Sequence, residues 1–288
     1  MSKAVTQKLQ QGRGKVYRAL EENRNFTIMA TGITGDDCRI ALAAVNAGVR
    51  IIEVNHPSVS LCIGLQGVTT MRQAEDIRHK LPRCEVYRKI EALRRVVSDD
   101  VYISAAVSGL FVEAIPSALT SEDYRQLAEA GADGLHVHKA TFEDLMTVVN
   151  AAHEAGLLVD AYISDSNDRD RLGIPADSDE EVHDTSIRME QMGVDFIGLI
   201  MGQSFRGERS GRFSEKSLGR LKAAAESVRV PVFAEGGVTD QNIGEIRDAG
   251  AQVAVVGTFI DDVLRNSTAD AVRRLAFTQS GQAGCSEA

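Results

Sequence analysis

The chain has 288 residues, with 32 Lys and Arg against 41 Asp and Glu, a net charge of −9, 43% hydrophobic residues and no Trp. The acidic balance offers no basic face for nucleic acid, and no apolar run approaches the ~20 residues that span a bilayer. The first twenty residues lack the continuous apolar stretch of a secretory signal, and Cys38, Cys62, Cys84 and Cys285 show no CxxC spacing, which argues against a zinc knuckle or disulfide framework. The expectation is a soluble, cytoplasmic protein with a large core.

Residues 1–22 read as a helix outside the main domain. From there on, short apolar, β-branched runs recur at 26–31, 49–54, 101–107, 133–138, 157–163, 195–201, 230–235 and 251–257. Each is too short for most helices, and near-continuous apolarity suits strands covered on both faces of a parallel sheet. Amphipathic segments lie between the runs. Two, at 71–81 and 85–97, fill the long gap before the third run. Others follow at 121–133, with Ser121 as the expected N-cap, at 142–158, and at 240–252 with Asp240 as the expected N-cap.

Five junctions share a glycine: Ala47-Gly48, Ala130-Gly131, Ala155-Gly156, Met192-Gly193 and Ala249-Gly250. Glycine fits the position just past a helix end, where the backbone commonly turns left-handed. Helix, glycine stop and buried strand in alternation, with eight strands, specify an α/β protein, a single (β/α)8 TIM barrel with an extra N-terminal helix. The barrel is placed at 23–276, and the tail 277–288 has too little apolar content to order itself.

In such barrels the active site lies at the C-terminal ends of the strands, and phosphate commonly binds after the last two. Here those ends read Ala234-Glu235-Gly236-Gly237-Val238 and Val256-Gly257-Thr258-Phe259. Glycines let backbone N–H groups approach an anion closely, and helix starts favour negative charge. The competing explanation is that these glycines only make tight turns. The pair, one helix apart, favours a phosphate site at Gly236, Gly237, Gly257 and Thr258.

At this point the chain resembles the ribulose-phosphate-binding barrels, a superfamily that includes hexulose-phosphate synthase, ketogulonate-phosphate decarboxylase and the sugar-phosphate epimerases. AEGGVTDQNIGEIRDAGAQVAVVGTFI resembles the phosphate-binding half, AGVRIIEVNHP the second strand and EAGLLVDAYIS the fifth strand of the synthase group, and AGADGLHVHKAT the fourth strand of the epimerases. The resemblance implies a barrel enzyme for a phosphorylated sugar, with Glu53, His138, Asp160 and Glu235 in matching positions. Two departures are plain. The first run, Phe26–Thr31, lacks the group's acid, and the third, Ser104–Gly109, lacks its DxKxxD motif, so that group's metal site does not carry over.

His136 and His138 lie two apart and share a face of their strand. Both can serve proton transfer or a metal, although two histidines do not complete a zinc site. Lys139 would point away in a regular strand but can reach the mouth at a strand end, where a desolvated lysine can form a Schiff base; otherwise it is a solvated loop charge or a partner of Asp165. Glu53 and Asp160 sit among apolar neighbours, where a carboxylate is costly unless it is paired or faces a polar cavity. Arg206, Arg209 and Arg212, in a Gly- and Ser-rich loop, suit an anion-gating lid or a solvated basic loop.

The acidic loop 164–184 is expected to be solvated, and 56–68 to cover the pocket or mediate a subunit contact. Cys62 has no base partner in sequence and is not expected to be a nucleophile.

The expected function is an enzyme acting on a small phosphorylated sugar or keto compound through an enolate or enediolate. A carbon–carbon lyase, of aldolase or decarboxylase type, ranks above an epimerase or isomerase. A non-catalytic phospholigand-binding barrel is the rival. No cofactor is demanded, a divalent metal is allowed, and a homo-oligomer is expected.

Overall fold

A computed structural model describes residues 2–112, 118–168, 171–202 and 211–277. Arg206, Arg209, Cys285 and the tail from 278 lie outside the described residues. Among the described residues, nine parallel strands follow one another: β1 (Thr27–Ala30), β2 (Ile51–Asn55), β3 (Tyr102–Ala106), β4 (Gly134–Val137), β5 (Leu158–Ser164), β6 (Ile174–Pro175), β7 (Phe196–Ile200), β8 (Val232–Glu235) and β9 (Val253–Val256). β1 pairs with both β2 and β9, and β4 pairs with β5, so the sheet closes into an eight-stranded barrel with helices around it. The two-residue β6 is the addition, hydrogen-bonded to the end of β5. It lies inside the acidic loop read from sequence as solvated.

The five junction glycines all adopt positive φ, from +79° to +108°, as the stop position of each helix requires. Two caps differ from expectation. Thr120, not Ser121, caps the helix Ser121–Ala130, because its side chain accepts from the Asp123 N–H while Asp123 accepts from the Thr120 N–H. The last predicted helix is shorter, Ile243–Asp248, and begins after Asn242 rather than at Asp240. Asn242 instead bridges the preceding turn, accepting from Thr239 N–H and donating to the Gly237 carbonyl.

Two apolar cores result. The larger lies between the strands and the surrounding helices. The smaller fills the lower barrel with Met29, Ile51, Tyr102, Leu158, Phe196, Phe233, Val253 and Val255, and includes Leu9, Val16, Ala19 and Leu20 of the helix Lys3–Glu22. The N-terminal helix therefore plugs the floor of the barrel. Ion pairs fix it there: Lys15 Nζ lies 2.7 Å from Asp133 and Arg13 2.6 Å from Asp195. Each acid also accepts a backbone N–H, from Ile103 and Val159 respectively.

The segment after β2 forms the helix His56–Cys62, mostly buried, with Ile63 left 45% exposed. His56, not singled out from sequence, is fully buried: its Nδ1 accepts the Ser108 N–H, so Nε2–H donates to the Leu81 carbonyl. Burial pushes this ring down to about 4 and keeps it neutral.

Asp36 is also buried, with Ser58 and Cys62 as hydrogen-bonding neighbours, and burial raises its carboxyl to about 7. Between the ordinary value of 3.8 and about 7 the folded chain binds more protons than the unfolded one, so stability falls as pH rises through that window. Asp36→Asn is expected to flatten that part of the pH profile and to be more stable at pH 8 by on the order of 3 kcal/mol. Urea unfolding at pH 5 and pH 8 measures both; an unaltered slope would remove Asp36 as its source.

Candidate functional site

Side chains alternate along a strand, and the alternation that sends Leu158 into the barrel also sends Asp160 and Tyr162 there. The same parity puts Glu53, Ser104, His136 and Glu235 inside, above the apolar floor. Adjacent strands bring them level, with Glu53 opposite Ser104 and His136 opposite Asp160. Glycine makes room on β7: a Cβ at Gly198 would lie 2.2 Å from the Tyr162 ring.

The groups form one chain of contacts. Ser104 donates its hydroxyl to Asp160 Oδ1 at 3.0 Å, and His136 Nδ1–H donates to Asp160 Oδ2 at 2.7 Å. His138 Nδ1 lies 2.5 Å from the Leu172 carbonyl, which can only accept, so this nitrogen carries a proton too. Both Nε2 atoms consequently turn inward, 2.6 Å apart. Glu235 Oε2 completes the group, 3.2 Å from His136 Nε2 and 3.7 Å from His138 Nε2. The His138 ring is stacked between Phe111 and Tyr162, with centroids 5.2 and 4.8 Å away.

Burial opposes a charge on His136, but Glu53, Asp160 and Glu235 outweigh it and raise the ring well above its ordinary value. For Glu235 burial acts upward, and the neighbouring His136 overrides it and holds the carboxyl low. His138, buried and beside a cationic neighbour, falls to about 3 and stays neutral. Glu53 is 1% exposed and accepts from Asn55 Nδ2 at 2.8 Å; burial raises it, with His136 offsetting part of the rise. Glu53 and Glu235 are therefore pushed in opposite directions, Glu53 up and Glu235 down.

A cavity at the C-terminal mouth is lined by Glu235, Gly236, Gly237, Gly257 and Thr258, with Thr31, Asn55 and Leu172 among its other walls. All four residues expected to hold phosphate therefore face one space, and Glu235 joins that space to the histidines below. Gly236 is required by the backbone: its φ is +98°, and a Cβ would stand 1.9 Å from the Gly202 carbonyl oxygen. Thr258 opens the 20-residue helix Thr258–Phe277, whose first N–H groups have no intrahelical partners. Gly236→Ala is expected to weaken phosphate binding at least tenfold through the displaced turn, and calorimetric titration with inorganic phosphate reads the loss.

The other sequence candidates fall elsewhere. Lys139 Nζ donates to the Phe111 carbonyl at 2.8 Å, while Asp165 pairs with Lys216. Arg212 is 89% exposed in its side chain and approaches Glu245 at 3.4 Å. Cys62 lies against Asp36, and burial pushes its thiol up to about 12, which disfavours a thiolate. Sequence reasoning missed Ser104, Tyr162 and the Leu172 carbonyl. The first two were legible by strand parity; the last is a backbone atom and carries no residue-type signal.

Comparison with known proteins agrees with the barrel. Residues 117–259, slightly under half of the chain, match the family model described as thiamine monophosphate synthase. The thiamine-phosphate synthase of Nitrosococcus oceani is 25% identical over 199 residues, 69% of this chain and 75% of that protein. Among solved structures, a mutant tryptophan synthase α-subunit from Pyrococcus furiosus superposes with a TM-score of 0.60 at 17% identity, covering 87% of this chain and 93% of that one. A phosphonopyruvate hydrolase complexed with oxalate and Mg²⁺ gives 0.61 at 17% identity, covering 97% and 92%. At such identities the structural likenesses establish the fold alone. The family match supports the expected kinship with ribulose-phosphate-binding barrels without singling out the synthase and decarboxylase group.

Proposed function

We propose that this chain is an enzyme acting on a small phosphorylated sugar or keto compound, and that it moves a proton beside the carbonyl. The observation that carries the reading is the double position of Glu235, which lines the glycine-walled cavity and touches His136 beneath it. A phosphate seated on the Gly236, Gly237 and Thr258 backbone places the adjoining carbons over this carboxylate. The C–H bond next to the carbonyl breaks, its electron pair enters the enolate, and the proton passes to Glu235. Asp160 holds His136 in the tautomer that faces the site and stabilises its charged form.

Return of the proton to the opposite face gives epimerisation. Where the substrate instead carries a carboxylate or a hydroxyl one carbon further on, the same electron flow supports decarboxylation or aldol cleavage, and lyase chemistry is the preferred outcome. Incubation with a panel of phosphorylated ketoses and keto acids in deuterated water tests the reading by NMR. Deuterium entry at the carbon beside the carbonyl is expected. Phosphosugar binding without any exchange or cleavage would leave only a binding barrel.

A second reading, formation of thiamine monophosphate, is favoured by the family-model match over residues 117–259. Accumulation of thiamine monophosphate, with no isotope exchange into any keto compound, would select it.

A further inference from the structure

We infer that His136, His138 and Glu235 form a three-ligand site for a divalent transition metal. Three independent features of the geometry converge on it. First, each histidine gives its Nδ1–H to a fixed acceptor, Asp160 for one and the Leu172 carbonyl for the other, which leaves both Nε2 lone pairs directed at the same point. Outer partners of this kind fix the tautomer and orientation of metal-binding histidines.

Second, Glu235 Oε2, buried and aimed at both rings, has no hydrogen-bond partner among the described residues. Third, the three donor atoms are separated by 2.6, 3.2 and 3.7 Å. A triangle with those sides leaves a point roughly 2 Å from every corner, the length of a Zn–N or Zn–O bond. Only the edge between the two nitrogens is short for neighbouring ligands, and a proton bridges it when no metal does.

The donor set names the metal class. Two imidazoles with one carboxylate suit Zn²⁺, Fe²⁺ or Co²⁺ rather than the all-oxygen shell that Mg²⁺ and Ca²⁺ prefer. Three protein ligands with a remaining position toward a cavity is the pattern of a catalytic site, not of a closed structural one. Here that position faces the glycine-lined mouth along Glu235, the one ligand that lines the cavity and has a 27% exposed side chain. The metal deepens the proposed function and rests on it in one respect: it would polarise the carbonyl oxygen of the phosphorylated ligand. Coordination through Oε2 alone would leave the other carboxylate oxygen of Glu235 to take the proton.

Chelator-treated full-length protein titrated with Co²⁺ tests the site without any substrate. One equivalent is expected to bind, with the visible ligand-field absorption of a four- or five-coordinate ion. His138→Gln should abolish that absorption. Asp160→Asn, which removes only an outer partner, should weaken binding 10- to 100-fold. Circular dichroism of both variants verifies folding. Absence of stoichiometric binding, or an unchanged spectrum in folded His138→Gln, overturns the metal site and leaves the proton-transfer reading standing. Binding as described without any isotope exchange would overturn that reading and leave the metal site.

Discussion

Glu235→Gln is expected to lower kcat/KM by about 10²–10⁴, while the barrel remains folded. The amide keeps the size of the side chain and removes its ability to take a proton or carry charge. Glu235 is the residue through which the buried Asp160–His136 pair reaches the glycine-lined cavity, so no other described carboxylate duplicates its position. Steady-state rates of isotope exchange, with circular dichroism as the folding control, measure the effect. A loss confined to KM would make Glu235 a binding group only, and a rate within threefold of the parent would remove it from the chemistry.

Deleting residues 2–22 is expected to unfold the chain or leave it with a fluctuating core. Leu9, Val16 and Leu20 are at most 3% exposed against the barrel floor. Burial of three such side chains stabilises by roughly 5–9 kcal/mol, comparable to the whole ~5–15 kcal/mol of an ordinary domain. Deletion also leaves Phe196, Phe233 and Tyr102 open to water from below and takes Arg13 and Lys15 from Asp195 and Asp133. Near-UV circular dichroism, dye binding and thermal melts of the deleted chain provide the readout. A sharp melt within a few degrees of the parent would show that the helix is dispensable.

The β/α alternation was legible because strand burial, helix amphipathicity and glycine stops are local properties, written in adjacent residues. So was membership in the inner group: Glu53, Asp160 and Glu235 are acids in otherwise apolar strand runs, and such an acid must face a polar interior. The same logic, carried one step along β5 and β3, would have added Tyr162 and Ser104. The helix Lys3–Glu22 was legible as a helix but not as a plug, since its buried face has meaning only against a floor assembled from strands far along the chain.

Contacts across the closed barrel set the remaining assignments. His136 meets Asp160, 24 positions later, because β4 and β5 pair in that register. Glu235 meets His136 across the barrel, a distance in sequence that no local pattern encodes. Leu172 contributes through its carbonyl, and Lys139 turns to the Phe111 carbonyl instead of the mouth, because backbone acceptors there are decided by loop packing.

The sequence by itself determined the barrel, the order of its strands and the phosphate-suited glycines, because short-range periodicity and backbone permissiveness suffice for these. Only the tertiary structure decided that two histidines and one carboxylate share a single point beneath those glycines. Convergence of that kind depends on where strands close, and on which atom of each ring is already engaged.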